Sequence, residues 1–170
     1  MALPRITLCL LATGVLLVEP HQPVQAASAT ANLSVSATIV NNCTISTTPV
    51  SFSSYDPIGA NATVDDDNGT GTVTITCTRG TTATVGLGPG SNASGTTRRM
   101  LNGTSNYLNY ELYQTSARTT VWGNSGTGLF SPGPAPTKAP RAFNVYGRIF
   151  AGQDLPAGSY ADTVQATVNF

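Results

Sequence analysis

The side chains able to carry chemistry are few, and their positions limit what they could do. The sequence holds one histidine, His21, and three cysteines, Cys9, Cys43 and Cys77. His21 and Cys9 fall within residues 1–26, which read as a secretory signal peptide. Arg5 supplies the positive start, Ile6 to Val18 an apolar run short for a bilayer, and Val24-Gln25-Ala26 a small-residue cleavage site. Once that segment leaves, no histidine remains for a Ser-His-Asp triad, a Cys-His pair or a histidine metal site. Catalytic, cofactor-binding and metal-binding residues are all expected to be none. Cys43 and Cys77 form an even pair in an exported chain and read as a disulfide. Closing that loop stabilises the fold by roughly 4 kcal/mol in the chain-entropy model.

The remaining candidates have plain readings. Asp65-Asp66-Asp67-Asn68-Gly69 is the most acidic run. An EF-hand calcium loop counted from Asp65 would need an acidic twelfth residue, and Thr76 stands there, so a solvated turn is expected. Glu111 opposes the apolar face of its segment and is expected in solvent. Tyr107, Tyr113 and Trp122 could form a sugar platform, although cross-strand packing on a sheet surface accounts for such tyrosines as well. Asn-X-Ser/Thr triplets at Asn32, Asn42, Asn61, Asn68, Asn92 and Asn102 follow from a composition rich in Asn and Thr. Eight basic residues balance eight acidic ones. That excludes the clustered Lys and Arg of a nucleic-acid surface and weakens steering toward a charged membrane. No stretch after residue 26 is apolar enough for a retained membrane anchor.

The elements that position these residues are strands. Leu33, Val35, Ala37 and Ile39 alternate with small polar residues, so one side of this stretch is apolar and the other polar. The rhythm continues at Cys43 and Ile45, after a break at Asn41-Asn42. It recurs at Val73, Ile75 and Cys77, at Ala83, Val85 and Leu87, and at Leu108, Tyr110 and Leu112. A partner strand near 119–122 predicts a hairpin, 123–140 a Gly- and Pro-rich loop, and Phe143, Val145 and Ile149 a long strand. A final strand places Val164, Ala166, Val168 and Phe170 on one face, expected to look into the core. No convincing helix follows the signal, and the pattern predicts one all-β sandwich. The expected organisation is a signal peptide over 1–26, an N-terminal segment over 27–41 and a β-sandwich domain over 42–170. By pattern alone the N-terminal segment is either a first strand of its own sheet or a strand lent to another core.

Several local patterns coincide in order and spacing: the alternating N-terminal segment before Cys43, Val73-Thr-Ile-Thr-Cys77, Leu108-Asn-Tyr-Glu-Leu-Tyr113 with Trp122-Gly123, Val145-Tyr-Gly-Arg-Ile149, and Ala157-Gly-Ser-Tyr-Ala-Asp-Thr-Val164 through Thr167-Val-Asn-Phe170. Together they resemble the spore coat protein U domain family, the subunits of archaic chaperone–usher pili. The resemblance implies an immunoglobulin-like sandwich lacking its last strand. A periplasmic chaperone fills the gap first, pairing with the C-terminal strand. At an outer-membrane usher the N-terminal strand of another copy or a homologous subunit replaces it. Leu33, Val35, Ala37 and Ile39 would then be the donor side chains. The product would be a surface fibre, exported through the periplasm, that supports adhesion and biofilm formation. A monomeric secreted binding module with a complete sandwich, for instance one that binds carbohydrate, is the alternative.

Overall fold

The structure, a computed structural model, describes residues 23–170. The expected signal segment up to residue 22, with Arg5, Cys9 and His21, lies outside the described residues. The chain separates into two units, Met1–Ala37 and Thr38–Phe170. Residues 23–37 of the first unit form neither strand nor helix, and Leu33 and Val35 within it are exposed.

In the second unit, period-two alternation becomes seven strands: β1 (Cys43–Ser51), β2 (Thr70–Cys77), β3 (Thr84–Leu87), β4 (Arg98–Asn102), β5 (Asn106–Tyr113), β6 (Arg141–Ile149) and β7 (Ala166–Asn169). One 3-10 turn spans Gly126–Gly128. A five-stranded antiparallel sheet runs β1-β2-β6-β5-β4, and β3 pairs with β7 in a second sheet. Between the sheets lie Val73 and Ile75 of β2, Leu108, Tyr110 and Leu112 of β5, Val145 and Ile149 of β6, and Val85 and Leu87 of β3. This is an all-β, immunoglobulin-like sandwich. Cys43 stands opposite Cys77 in the β1–β2 ladder, and the two are joined as a disulfide.

Four expectations change. The hairpin strand near 119–122 reduces to one bridge, Tyr113 with Val121. After Trp122 N–H donates to Leu112 O, the chain crosses to the other sheet, where Leu87 N–H donates to Gly123 O. The last strand is shorter than 164–170, because Thr163 and Gln165 bond instead to the loop after β3, accepting from Ser91 N–H and Gly88 N–H. Tyr113 and Trp122, two of the three aromatics that could have formed a sugar platform, are buried, with the Arg148 guanidinium 5.7 Å from the Tyr113 ring centroid. The acidic run is not a free solvated turn. Asp66 is buried and exchanges two 2.9 Å backbone bonds with Ile149, while Asp65 and Asp67 face Arg148.

Candidate functional site

Two edges of the sandwich are finished differently. At one, the segment 121–130 crosses from β5 to β3. Trp122 is fully buried there, its indole N–H donates to Val85 O at 2.9 Å, and Phe130 exchanges backbone bonds with Val85. Arg98 of β4 turns inward beside it. Its guanidinium donates to Leu87 O (2.8 Å), Gly88 O (2.8 Å) and Trp122 O (2.8 Å), and pairs with Glu111. A buried cation is tolerated only when its donors are used in this way. The β4 strand itself is closed by Ala161, which exchanges two backbone bonds with Leu101.

The opposite edge lies between β1 and β7, and no ladder joins them among the described residues. In an antiparallel pair, backbone groups alternate between facing the partner and facing away. Thr78 N–H donates to Asn42 O, so Ile45 and Thr47 turn their backbone groups to the outside of β1. Gly88 N–H donates to Gln165 O, so Val164, Ala166 and Val168 do the same on the last segment. Between these two free edges is an elongated groove. One part, about 370 Å³, lies between Thr47–Phe52 and Tyr160–Ala166, with Val73, Leu87, Tyr110, Leu112 and Val145 below. A second part, about 800 Å³, shares Val50, Phe52, Met100 and Tyr160 and continues past Leu108 and Leu155 to Ile58.

The walls are built from local sequence. β1 is irregular between Thr48 and Ser51, around Pro49, and this places Val50 and Phe52 against the neighbouring strands. Gly71 and Gly147 leave the room. A Cβ at Gly71 would stand 2.8 Å from Val50, and one at Gly147 2.5 Å from Phe52. The other wall is held by Asp162. Its Oδ2 accepts from Tyr110 O–H at 2.7 Å, and its Oδ1 accepts from Asn92 N–H (3.1 Å) and Asn92 Nδ2 (3.0 Å). Burial, and then the bond to Asp162, push the Tyr110 hydroxyl far above its usual titration range, so it remains a donor at any ordinary pH. This groove has the composition of a binding site for an apolar strand: an apolar floor with unpaired backbone on both rims.

The structure places the sequence-derived residues as follows. Val164 and Ala166 line the groove, and Val168 is half-buried beside Val85. Phe170 is 56% exposed, because β7 ends at Asn169 and no neighbouring strand covers it. Leu33, Val35 and Ala37 are exposed in the first unit, and Ile39 is exposed in the second. Sequence reasoning missed Arg98, Glu111 as its partner, Asp162 and the inward glycines. The charged pair sits one to a strand and carries no local motif. Asn61, one of the Asn-X-Thr positions, is buried with its side chain bonded to Asp56 N–H and Val64 O.

Comparison with known proteins bears on the family and the fold. The Spore Coat Protein U domain matches residues 29–167. Protein U of Myxococcus xanthus is 40% identical over 164 residues, covering 87% of this chain and 88% of that protein. Among solved structures, the chain is similar to part of the CsuC–CsuE chaperone–tip adhesion subunit pre-assembly complex from the archaic chaperone–usher Csu pili of Acinetobacter baumannii. There the TM-score is 0.54 at 27% identity, over 78% of this chain and 41% of that one. The chain thus spans less than half of that solved chain. With the domain match covering both the alternating N-terminal segment and the grooved sandwich, the chain belongs to the Spore Coat Protein U domain family.

Proposed function

We propose that this protein is an exported structural subunit of a chaperone–usher type pilus, and that it polymerises by lending residues 29–39 to the groove of the next copy. The observation that carries this reading is the groove itself, with an apolar floor and free backbone edges on Ile45–Thr47 and Val164–Val168. A strand with apolar side chains at alternate positions satisfies both, and Leu33, Val35, Ala37 and Ile39 supply that pattern within the same chain. Burying the three large side chains contributes roughly 5–9 kcal/mol at about 1.5–3 each, an upper bound because an unassembled strand already hides part of its surface. Backbone pairing on both rims adds to it.

The partners follow from this reading. Before assembly the groove exposes core, so a periplasmic chaperone covers it by pairing with Val164, Ala166 and Val168, and an outer-membrane usher exchanges chaperone for subunit. The solved relative is a chaperone–tip adhesion subunit pre-assembly complex, which supports the first of these partners. The resulting surface fibre serves adhesion and biofilm formation, a non-enzymatic role. Organisation into a signal over 1–26, a donor segment over 27–41 and a sandwich over 42–170 is part of the same proposal.

Val35→Asp tests it. A carboxylate carried into an apolar groove without a partner is costly. Subunit secretion and chaperone binding should persist while fibres disappear from the cell surface. Wild-type fibre yield from this variant, or a native monomer with residues 31–39 in its own sheet, would sink the reading.

A further inference from the structure

Strand lending to a second copy has a competitor within the chain. Only Val40, Asn41 and Asn42 separate Ile39 from Cys43, a length that suits a hairpin turn. Folded back on the free edge of β1, Ile39 would meet Cys43, Ala37 would meet Ile45 and Val35 would meet Thr47. All the apolar side chains would then share one face. An attached strand also acts at an effective concentration of millimolar order, far above that of a second dilute subunit. The alternating pattern that fits a neighbour's groove therefore fits the chain's own groove as well.

We infer that Thr78, Thr81 and Asn41 form a clamp that holds residues 40–42 in line with β1, blocking this self-closure and directing the strand to another copy. The inference rests on the strand-lending reading above. Thr78 is the hub. Its N–H donates to Asn42 O at 2.8 Å, its Oγ1 accepts from Asn42 N–H at 3.1 Å, and the same hydroxyl donates to Val40 O at 3.1 Å. These bonds extend the β1–β2 ladder past the Cys43–Cys77 disulfide. Thr81 Oγ1 donates to Asn41 Oδ1 at 3.1 Å.

The anchor is rigid. Thr81 is 2% exposed, its N–H donates to Thr78 O at 3.1 Å, and its carbonyl accepts from Ala135 N–H at 2.9 Å. A reversal at 40–42 turns the backbone of Val40 and Asn42 and breaks the clamp on both sides, while the neighbouring disulfide prevents β1 from sliding to compensate. Thr78, Thr81 and Asn41 are thus positioning residues: they touch no groove and act through the direction in which the chain leaves β1.

The test uses the full mature protein, refolded from denaturant without chaperone and compared with wild type. Thr78→Val combined with Thr81→Val keeps shape and removes the hydroxyls. Loss of the side-chain bonds should raise the ratio of closed monomer to fibre by about tenfold or more. In that monomer, residues 31–39 should resist amide hydrogen exchange, and an added peptide of residues 29–39 should not bind. A second variant inserts Gly-Ser after Ile39. It leaves the clamp intact but lets the strand reverse above it through Ile39-Gly-Ser, so that Val35 meets Cys43 and Leu33 meets Ile45 on the same face, and it should close as well. If both variants form fibres like wild type, the clamp is refuted while strand lending stands. If wild type itself is a closed monomer, strand lending fails and the clamp with it. Should the double variant not fold, as judged by its disulfide and thermal transition, the insertion variant decides, and wild-type fibre yield from it overturns the inference.

Discussion

Trp122 and Phe52 are both large aromatics on the inner side of the sandwich, and both stand at an edge. Trp122 is 0% exposed, its ring centroid 4.9 Å from that of Phe130 at a tilt of 45°, with its indole nitrogen bonded to Val85 O. Phe52 is only half-buried, resting on glycines at the rim of a hollow. Residues 121–130 cross one edge and complete it, whereas no part of the sandwich does so between β1 and β7. Aromatic residues can therefore mark either a sealed edge or an unfinished one. Which of the two holds depends on whether the backbone rim beside them is paired.

Truncation of the two rings should expose that contrast most strongly. Trp122→Ala should cost about 3–5 kcal/mol, the range for large core aromatics. Phe52→Ala should cost less in the isolated subunit, about 1–3 kcal/mol, since its ring is only partly buried and already borders a hollow. Denaturant midpoints at matched slopes measure both. Equal losses would mean that the groove is already filled in the free subunit.

Arg98 sharpens the comparison at the sealed edge. Arg98→Met leaves Glu111 and the carbonyls of Leu87, Gly88 and Trp122 without their donor. Breaking a buried pair in this way should cost about 3–5 kcal/mol. Glu111→Gln keeps an acceptor beside the guanidinium and should cost less. If the two variants unfold at the same denaturant concentration, the guanidinium is not what ties β3, β4 and Trp122 together.

The sheets were legible in the sequence because burial on one face leaves a period of two. Val73-Ile75-Cys77 and Leu108-Tyr110-Leu112 map directly onto β2 and β5. The β1–β2 neighbourhood followed from two cysteines that share apolar faces. The sealed edge was not legible. Trp122 sits in a stretch that reads as a hairpin strand, yet it departs for the other sheet after one bridge, a choice made by tertiary bonds. Arg98 and Glu111 look like ordinary surface charges until β4 and β5 bring them together. The groove could not be read from pattern at all. A missing strand leaves no residue in the sequence, and only the family resemblance pointed to it.

Filling the groove should affect stability less than either sealed-edge change. Ala166→Leu adds bulk beside a hollow of about 370 Å³. In a closed core such overpacking costs about 1–3 kcal/mol. Here the isolated subunit should change by less than about 1 kcal/mol, while fibre yield falls because the incoming strand meets an occupied site. A full overpacking cost with unchanged fibres would reverse the assignment of this edge as the open one.

The smallest effect should come from the acidic run, whose three aspartates line neither part of the groove. Arg148 donates to both carboxylate oxygens of Asp67, at 2.7 and 2.9 Å, and Arg118 Nε lies 3.2 Å from Oδ1. The hydrogen bonds from Arg148 outweigh partial burial and hold the Asp67 carboxyl below its usual range. A folded-state value below the unfolded one stabilises the fold above the unfolded pKa of about 3.9, and the contribution disappears as pH falls through the folded value. Because the Asp67 side chain is 42% exposed, solvent screening limits the contribution to less than about 1 kcal/mol. Asp67→Asn should lower the denaturant midpoint slightly near neutral pH and match wild type once both are in strong acid. Fibre yield near neutral pH should not change, since the pair braces β6 and the acidic run rather than the β1–β7 rims. A loss of fibres from Asp67→Asn without a loss of stability would mean that the acidic run takes part in assembly, and the division between sealed and open edges would have to be redrawn to include it.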